Sequence, residues 1–91
     1  MKIVINACYG GFGLTDKALA RYNELSGNSV EYYFDITRDD PALVQVVEEL
    51  GSKAAGEFSE LKIVEIPDGI KWYIHEYDGM EHVAEQHQTW Y

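Results

Sequence analysis

A cysteine and three glycines follow the first apolar stretch of the chain, in the segment NACYGGFGLTD that spans residues 6–16. Cys8 ends a predicted strand, and Gly10, Gly11 and Gly13 lead into a predicted helix. Many phosphate-binding loops have this order of strand, glycine-rich loop and helix start, and their free backbone N–H groups bind the anion. This loop is therefore the leading candidate site of the chain.

Three established loop chemistries can be tested against the residues that follow Cys8. A P-loop requires lysine and then serine or threonine after its last glycine, whereas Leu14 and Thr15 follow Gly13 here. A dinucleotide-binding loop requires a third glycine where this chain has Asp16. A cysteine phosphatase loop requires an arginine six residues after the cysteine, and Leu14 stands there. The loop is therefore either a more general anion site or only a tight corner between a strand and a helix.

Cys8 has two interpretations. Backbone N–H groups at a helix start would stabilise its thiolate and make it a nucleophile, so a cysteine-dependent enzyme is one alternative function. The simpler interpretation, which we favour, is a small apolar residue at the end of a strand. We therefore expect no catalytic residue and no cofactor.

An anionic ligand at this loop would need partners from neighbouring elements. Backbone N–H groups of the glycines would bind the anion, aromatic rings would stack on it, and Arg38, after the second predicted strand, would neutralise it. Asp68, after the third predicted strand, is expected near the same rim. The predicted ligand-binding residues are Tyr9, Gly10, Gly11, Phe12, Gly13 and Arg38.

Histidines and carboxylates are concentrated near the end of the sequence, as they are in metal sites. His82 and Glu85 lie three residues apart on one face of a predicted helix and are the candidate ligand pair. His75 lies on a predicted strand, and His87 faces another side of that helix. Because the spacing matches no established ligand pattern, we expect no metal.

The elements that must position these residues are predicted from hydrophobic periodicity. Residues 3–5 form an apolar first strand, and the first helix is capped by Thr15 or Asp16 and ends at Gly27. The strict alternation of residues 30–37 predicts a second strand at the edge of a sheet.

The second half of the chain is predicted to hold a helix, two strands and a final helix. Asp40 and Pro41 begin the first of these helices, which ends at Gly51, and Phe58 is expected to pack inward after it. A turn at residues 67–69 should join the third and fourth strands as an antiparallel hairpin. The predicted ranges are 61–67 and 70–78 for these strands and 80–91 for the last helix.

The resulting order β-α-β-α-β-β-α predicts one α/β domain over residues 1–91 with three layers. Strand–helix–strand units favour parallel pairing with right-handed crossovers. We therefore expect a mixed four-stranded sheet of order 2-1-3-4 with strand 4 antiparallel. In that order the glycine-rich loop opens into the crevice at the carboxyl ends of the strands, where open α/β sheets bind ligands.

The charge of the chain restricts its partners. Sixteen acidic residues against seven basic ones give a net charge of −9, which disfavours direct binding to nucleic acid or to an anionic membrane. Basic proteins are suitable partners, and the aromatic residues near the end of the chain favour self-association as well. One cysteine and no recognisable targeting segment indicate a cytoplasmic protein.

Three stretches of the chain resemble a family of small proteins encoded by phages and prophages: MKIVINACYGGFGLTDKAL, with its INxCYGGFGL motif, RDDPALVQVVEELG, and the segment from residue 61 to residue 91. The resemblance implies a phage setting, such as host takeover or the blocking of a host defence, and carries no established activity. We therefore expect a non-enzymatic accessory protein that binds a host protein or a small anionic ligand. The alternative is an acidic inhibitor, or nucleic-acid mimic, of a host defence protein.

Overall fold

The computed structural model describes residues 1–85 and shows a mixed α/β protein with two helices and two antiparallel two-stranded sheets. Short 3₁₀ turns cover Tyr33–Asp35 and Gly51–Ala54. The strands are β1 (Lys2–Asn6), β2 (Leu61–Glu65), β3 (Trp72–Tyr77) and β4 (Met80–Glu85), and the helices are α1 (Asp16–Ser26) and α2 (Pro41–Leu50).

Both predicted internal helices are confirmed, with their predicted caps. The Thr15 side chain accepts a hydrogen bond from the backbone N–H of Ala18, and Gly27 ends α1 in the left-handed conformation with φ 75°. Asp40 accepts a hydrogen bond from the backbone N–H of Ala42, and Pro41 occupies the start of α2. Short local patterns therefore determine where these helices begin and end.

The first strand lies in the core, as its apolar sequence predicts. Ile3 and Val4 are fully buried, and Ile5 and Asn6 are nearly or fully buried. Side chains from both helices and from the segments that flank them complete the core around β1. These core residues are Leu14, Ala18, Tyr22, Ile36, Leu43, Val44, Val46, Val47 and Ala54.

The pairing of β1 differs from the prediction. Its neighbour is β2, as expected, but the two strands are antiparallel, with Lys2 opposite Glu65 and Asn6 opposite Leu61. The chain before β2 returns past the end of β1, where the N–H of Ala7 donates to the carbonyl of Glu60. Strand β2 therefore begins beside the last residue of β1 and runs back along it, so the predicted parallel pairing is wrong.

The predicted second strand at residues 30–37 is also wrong. This segment contains the 3₁₀ turn Tyr33–Asp35, and Tyr32 and Phe34 are exposed while Ile36 is buried. Within residues 1–85, the backbone hydrogen bond that links this part of the chain to β1 comes just after the segment, from the N–H of Val4 to the carbonyl of Arg38. Alternation alone does not make a strand when no partner strand lies alongside.

The region predicted as the last helix forms β4 within its described part. Strand β4 pairs with β3 through a two-residue turn in which Asp78 has φ 54° and Gly79 has φ 90°. Asp-Gly with two positive φ angles is the preferred chemistry of such hairpin turns. Residues 86–91 of the predicted helix lie outside the described residues.

The predicted single four-stranded sheet of order 2-1-3-4 is not shown within residues 1–85. The turn at residues 67–69 does not join a hairpin, because β2 pairs with β1 and β3 pairs with β4. Phe58 is 70% exposed, so the expectation that it packs inward is wrong. Neither α1 nor α2 has the length and apolar character needed to cross a membrane.

Candidate functional site

The centre of the candidate site is Asn6, which is fully buried at the end of β1. Its side-chain amide donates to the carbonyls of Cys8 at 2.7 Å and Gly79 at 2.8 Å. Its side-chain oxygen accepts from the N–H of Glu60 at 2.8 Å, and its own backbone N–H donates to Glu81 at 2.8 Å. One residue therefore joins the glycine-rich loop, the segment before β2 and the β3–β4 hairpin.

The glycine-rich loop is packed between two other segments. A Cβ atom at Gly10 would overlap the carbonyl of Phe58, and one at Gly79 would overlap the carbonyl of Tyr9. The Ser59 hydroxyl also donates to the carbonyl of Gly11 at 2.6 Å. Close approach of the backbones therefore requires glycine at position 10 of the loop and at position 79 of the turn between β3 and β4.

A recess of about 220 Å³ opens beside this loop, and we call it the loop recess. Four glycines contribute to its lining, so backbone is accessible there. Three aromatic residues, one leucine, one serine and one glutamate complete it. Its lining residues are Gly10, Gly11, Phe12, Gly13, Leu14, Tyr33, Gly56, Glu57, Phe58 and Ser59.

Exposed aromatic side chains surround the loop recess. Phe58 and Tyr9 are 70% and 64% exposed, and Tyr9 directly precedes the recess residue Gly10. Phe34 is 77% exposed, and its ring centroid lies 4.4 Å from that of Tyr33. Such a group of exposed rings is unusual for a surface that contacts only water and is typical of a binding surface.

Arg38 has a different environment from the one expected of an anion-binding residue. Its guanidinium donates to both carboxylate oxygens of Glu81, at 2.6 and 2.8 Å, and also to the carbonyl of Val4. It lies over the Phe12 ring, 3.5 Å from the centroid. Because Glu81 is buried, this bidentate pair neutralises Arg38 inside the protein, although Arg38 does contact the loop through Phe12.

Free backbone donors remain in the loop itself. The N–H groups of Tyr9, Gly10, Phe12 and Gly13 donate to no acceptor within residues 1–85. An anion or a carbonyl oxygen could accept hydrogen bonds from them.

The thiol of Cys8 is half-buried beside the loop and faces two oxygen atoms. Its Sγ lies 3.4 Å from the side-chain oxygen of Asn6 and 3.2 Å from the carbonyl oxygen of Phe58. These acceptors stabilise an S–H donor, whereas an activated nucleophile needs donors or positive charge around its thiolate. The two oxygen atoms therefore favour a thiol that donates hydrogen bonds over a thiolate at Cys8.

Asp68, which was expected near this rim, lies elsewhere, and the carboxylate of Asp40 is used in capping a helix. Asp68 binds the terminal amino group of Met1 at 2.8 Å, at the opposite end of β1 from the loop, and this hydrogen bond lowers the pKa of Asp68. Asp40 caps α2 and accepts a 2.7 Å hydrogen bond from the Tyr22 hydroxyl. The antiparallel direction of β2 accounts for Asp68, because the end of β2 lies beside Lys2.

The two predicted metal ligands, His82 and Glu85, do not share a face, because they lie on a strand and not on a helix. His82 and Glu85 lie on strand β4, where residues three apart point to opposite faces. Instead, His75 on β3 lies directly opposite His82. Within residues 1–85, no group of three or more His, Cys, Asp and Glu side chains converges as a metal site.

Sequence reasoning missed four contributors to this site: Asn6, Tyr33, Ser59 and Glu81. Of these four, only Asn6 could have been found from the sequence, because a polar residue at the end of an otherwise apolar buried strand must find hydrogen-bond partners. The others depend on pairings that only the correct topology reveals.

We expect Gly10→Ala to lower the free energy of unfolding by about 2 kcal/mol or more, because the added methyl group forces the Phe58 backbone away from the loop. Gly11→Ala is the matched control: it meets nothing within 4 Å but has φ 90°, so it should cost only about 1 kcal/mol of backbone strain. Urea denaturation of both variants measures the difference. Equal losses would contradict the close packing of Gly10.

Comparisons with protein-family models, curated proteins and solved structures gave no match to this chain.

Proposed function

We propose that this chain is a non-enzymatic binding protein of the phage or prophage type, and that the loop recess and its surrounding aromatic side chains bind a host protein. The phage setting rests on the resemblance of the glycine-rich motif and the two later segments. The binding role rests on the recess and on Tyr9, Phe34 and Phe58, which are all more than 60% exposed.

The aromatic group is the observation that carries the proposal. Aromatic residues are enriched at protein interfaces because a rigid ring buries a large area at a small cost in conformational entropy. The loop beneath them is held by Asn6, so much of the surface is ordered before a partner arrives. Such preorganisation lowers the free energy lost on binding.

The negative charge of the chain indicates that its partner carries positive charge. Glu57 lines the loop recess, the net charge is −9, and the one arginine beside the loop is paired with Glu81. A basic surface on a host protein complements this arrangement and would associate faster at low salt. Inhibition of a host defence protein in the host cytoplasm fits this chemistry.

A small anionic ligand is our second proposal for the same loop. The N–H groups of Tyr9, Gly10, Phe12 and Gly13, which donate to no acceptor within residues 1–85, favour it. The pairing of Arg38 with Glu81 weighs against it, because the expected neutralising charge is already used.

Site-specific photo-crosslinking tests the protein-binding proposal. A benzophenone side chain at position 58 should crosslink to a host protein in lysate, whereas the same group at Tyr73, an exposed aromatic of β3, should not. Binding should weaken roughly tenfold or more in Tyr9→Ala combined with Phe58→Ala, and it should also weaken with added salt.

Equal crosslinking at positions 58 and 73, or binding that the double substitution leaves intact, would contradict a partner surface at the loop recess. The anion proposal has a separate measurement. Thermal stabilisation by inorganic phosphate or a nucleotide, absent in a folded Gly11→Val variant, would support it.

A further inference from the structure

We propose that His75 and His82 form a two-imidazole binding site for a divalent transition-metal ion such as Zn²⁺ on the outer face of the β3–β4 hairpin. The two residues are cross-strand partners in the antiparallel register of these strands. Directly opposed residues share a face and have Cβ atoms roughly 4.5–5.5 Å apart. At that separation two imidazole rings can reach one metal ion, with each metal–nitrogen bond roughly 2.0–2.1 Å long.

The hairpin has two distinct faces, and the histidines lie on the outer one. Ile74, Val83 and Glu81 share the inner face, where Glu81 is buried against the end of β1. His75 and His82 are exposed on the opposite face, between the pairs Tyr73–Ala84 and Tyr77–Met80. Among residues 1–85, no salt bridge involves either histidine.

The donor set selects the class of metal. Imidazole nitrogen suits Zn²⁺, Cu²⁺ and Ni²⁺, whereas Mg²⁺ and Ca²⁺ require oxygen ligands. The carboxylates of Glu76, Glu81 and Glu85 alternate onto the other face and cannot join the pair.

The turn of the hairpin makes the pair rigid enough to chelate. Asp78 and Gly79 adopt the positive φ angles of a tight two-residue turn, which fixes the register between the strands. The hairpin is also attached to the body of the protein through Gly79 and Glu81. The second imidazole therefore binds with a high effective concentration once the first has bound.

Two imidazoles fill half of a tetrahedral zinc shell. Water molecules can fill the other two positions. Alternatively, the same pair from a second copy, related by a two-fold axis through the metal, supplies two further imidazoles. Both outcomes use the same His75–His82 pair and differ only in stoichiometry.

Isothermal titration of the full chain with Zn²⁺ tests the proposal. We expect one metal ion per chain, or one per two chains together with a dimer in sedimentation. Each of His75→Asn and His82→Asn should weaken Zn²⁺ binding roughly tenfold or more, because each removes one of the two imidazoles. Both side chains are exposed, so the variants should fold, and circular dichroism checks this. Cu²⁺ bound to the unsubstituted chain should show two equatorial nitrogen ligands in its electron paramagnetic resonance spectrum if one chain binds it, and four if two chains share it.

Glu85→Gln and His87→Ala are the matched controls and should bind Zn²⁺ as the unsubstituted chain does. Four results would overturn the proposal: no Zn²⁺ binding, unchanged binding in His75→Asn or in His82→Asn, loss of binding in Glu85→Gln, or loss in His87→Ala equal to that in His82→Asn.

Discussion

We expect Asn6→Asp to lower the free energy of unfolding by about 4 kcal/mol or more at neutral pH, although the two side chains have almost the same shape. The amide nitrogen of Asn6 donates to the carbonyls of Cys8 and Gly79. A carboxylate would place negative oxygen against both carbonyls at a fully buried position. Protonation would restore only one of the two donors, so the loss should shrink as the pH falls.

Asn23→Asp is the matched control for this substitution. Asn23 is half-buried, and its side-chain amide donates to a single carbonyl, that of Val30, at 2.9 Å. The same chemical change should therefore cost about 1 kcal/mol there. Thermal denaturation followed by circular dichroism measures both, and a 4 kcal/mol loss corresponds to a decrease in Tm of roughly 15 °C or more. Similar losses at the two positions would contradict the central role of Asn6.

The second large effect concerns the buried pair of Arg38 and Glu81. Glu81→Gln should lower the free energy of unfolding by about 3 kcal/mol, because it leaves the guanidinium without its counter-charge beneath the hairpin. Arg38→Met should cost at least as much, since it leaves a buried carboxylate and also removes the contact with the Phe12 ring. The β3–β4 hairpin should lose hydrogen-exchange protection first in both variants, because Glu81 attaches it to β1.

A double-mutant cycle separates the pair from its surroundings. Arg38→Met combined with Glu81→Gln should cost about 2 kcal/mol less than the sum of the single losses. The exposed pair of Arg21 and Glu49 is the control, because it is also bidentate but lies on the surface and donates through Nε and one terminal nitrogen. Its hydrogen bonds lower the pKa of Glu49, yet Glu49→Gln should have a much smaller effect on stability. Additive losses at positions 38 and 81 would mean that the pair contributes nothing beyond its separate contacts.

Local patterns predicted the elements whose boundaries are encoded nearby. Asp40 followed by Pro41 determines where α2 begins, and the run of buried residues in β1 identifies a core strand. These predictions succeed because caps and apolar runs act over a few residues. The alternation of residues 30–37 gave a wrong prediction of a strand. It reflects only the order of polar and apolar side chains, whereas a strand also requires a partner strand beside it.

The helix predicted from residue 80 onward is a strand over Met80–Glu85, because the turn before it is a stronger indication than the helical spacing. Met80, Val83 and Ala84 fit a helical spacing, but residues 80–85 also fit a strand after a tight turn. Asp78-Gly79 is among the strongest short indications of a hairpin, and it should have outweighed a helical stripe only a few residues long. With β4 as a strand, His75 and His82 become neighbours and Glu85 faces away.

The position of the glycine-rich loop after β1 could be predicted from the sequence, but the charge pairing beside it could not. The glycine-rich loop and its aromatic residues lie where the motif suggested, beside the end of β1. The partner of Arg38 is Glu81, which is 43 residues away in sequence and lies on an element predicted as a helix. No pattern within the chain specifies such a pairing before the topology is known.

The antiparallel pairing of β1 with β2 has a consequence for how the chain is made. The first strand leaves the ribosome well before its partner, because 55 residues separate Asn6 from Leu61, which lies opposite it. Contacts so distant in sequence form late and slow the search for the native state. Until residues 61–65 emerge, the segment KIVIN is therefore a strand without its partner and is open to chaperones or to misassembly with another nascent chain.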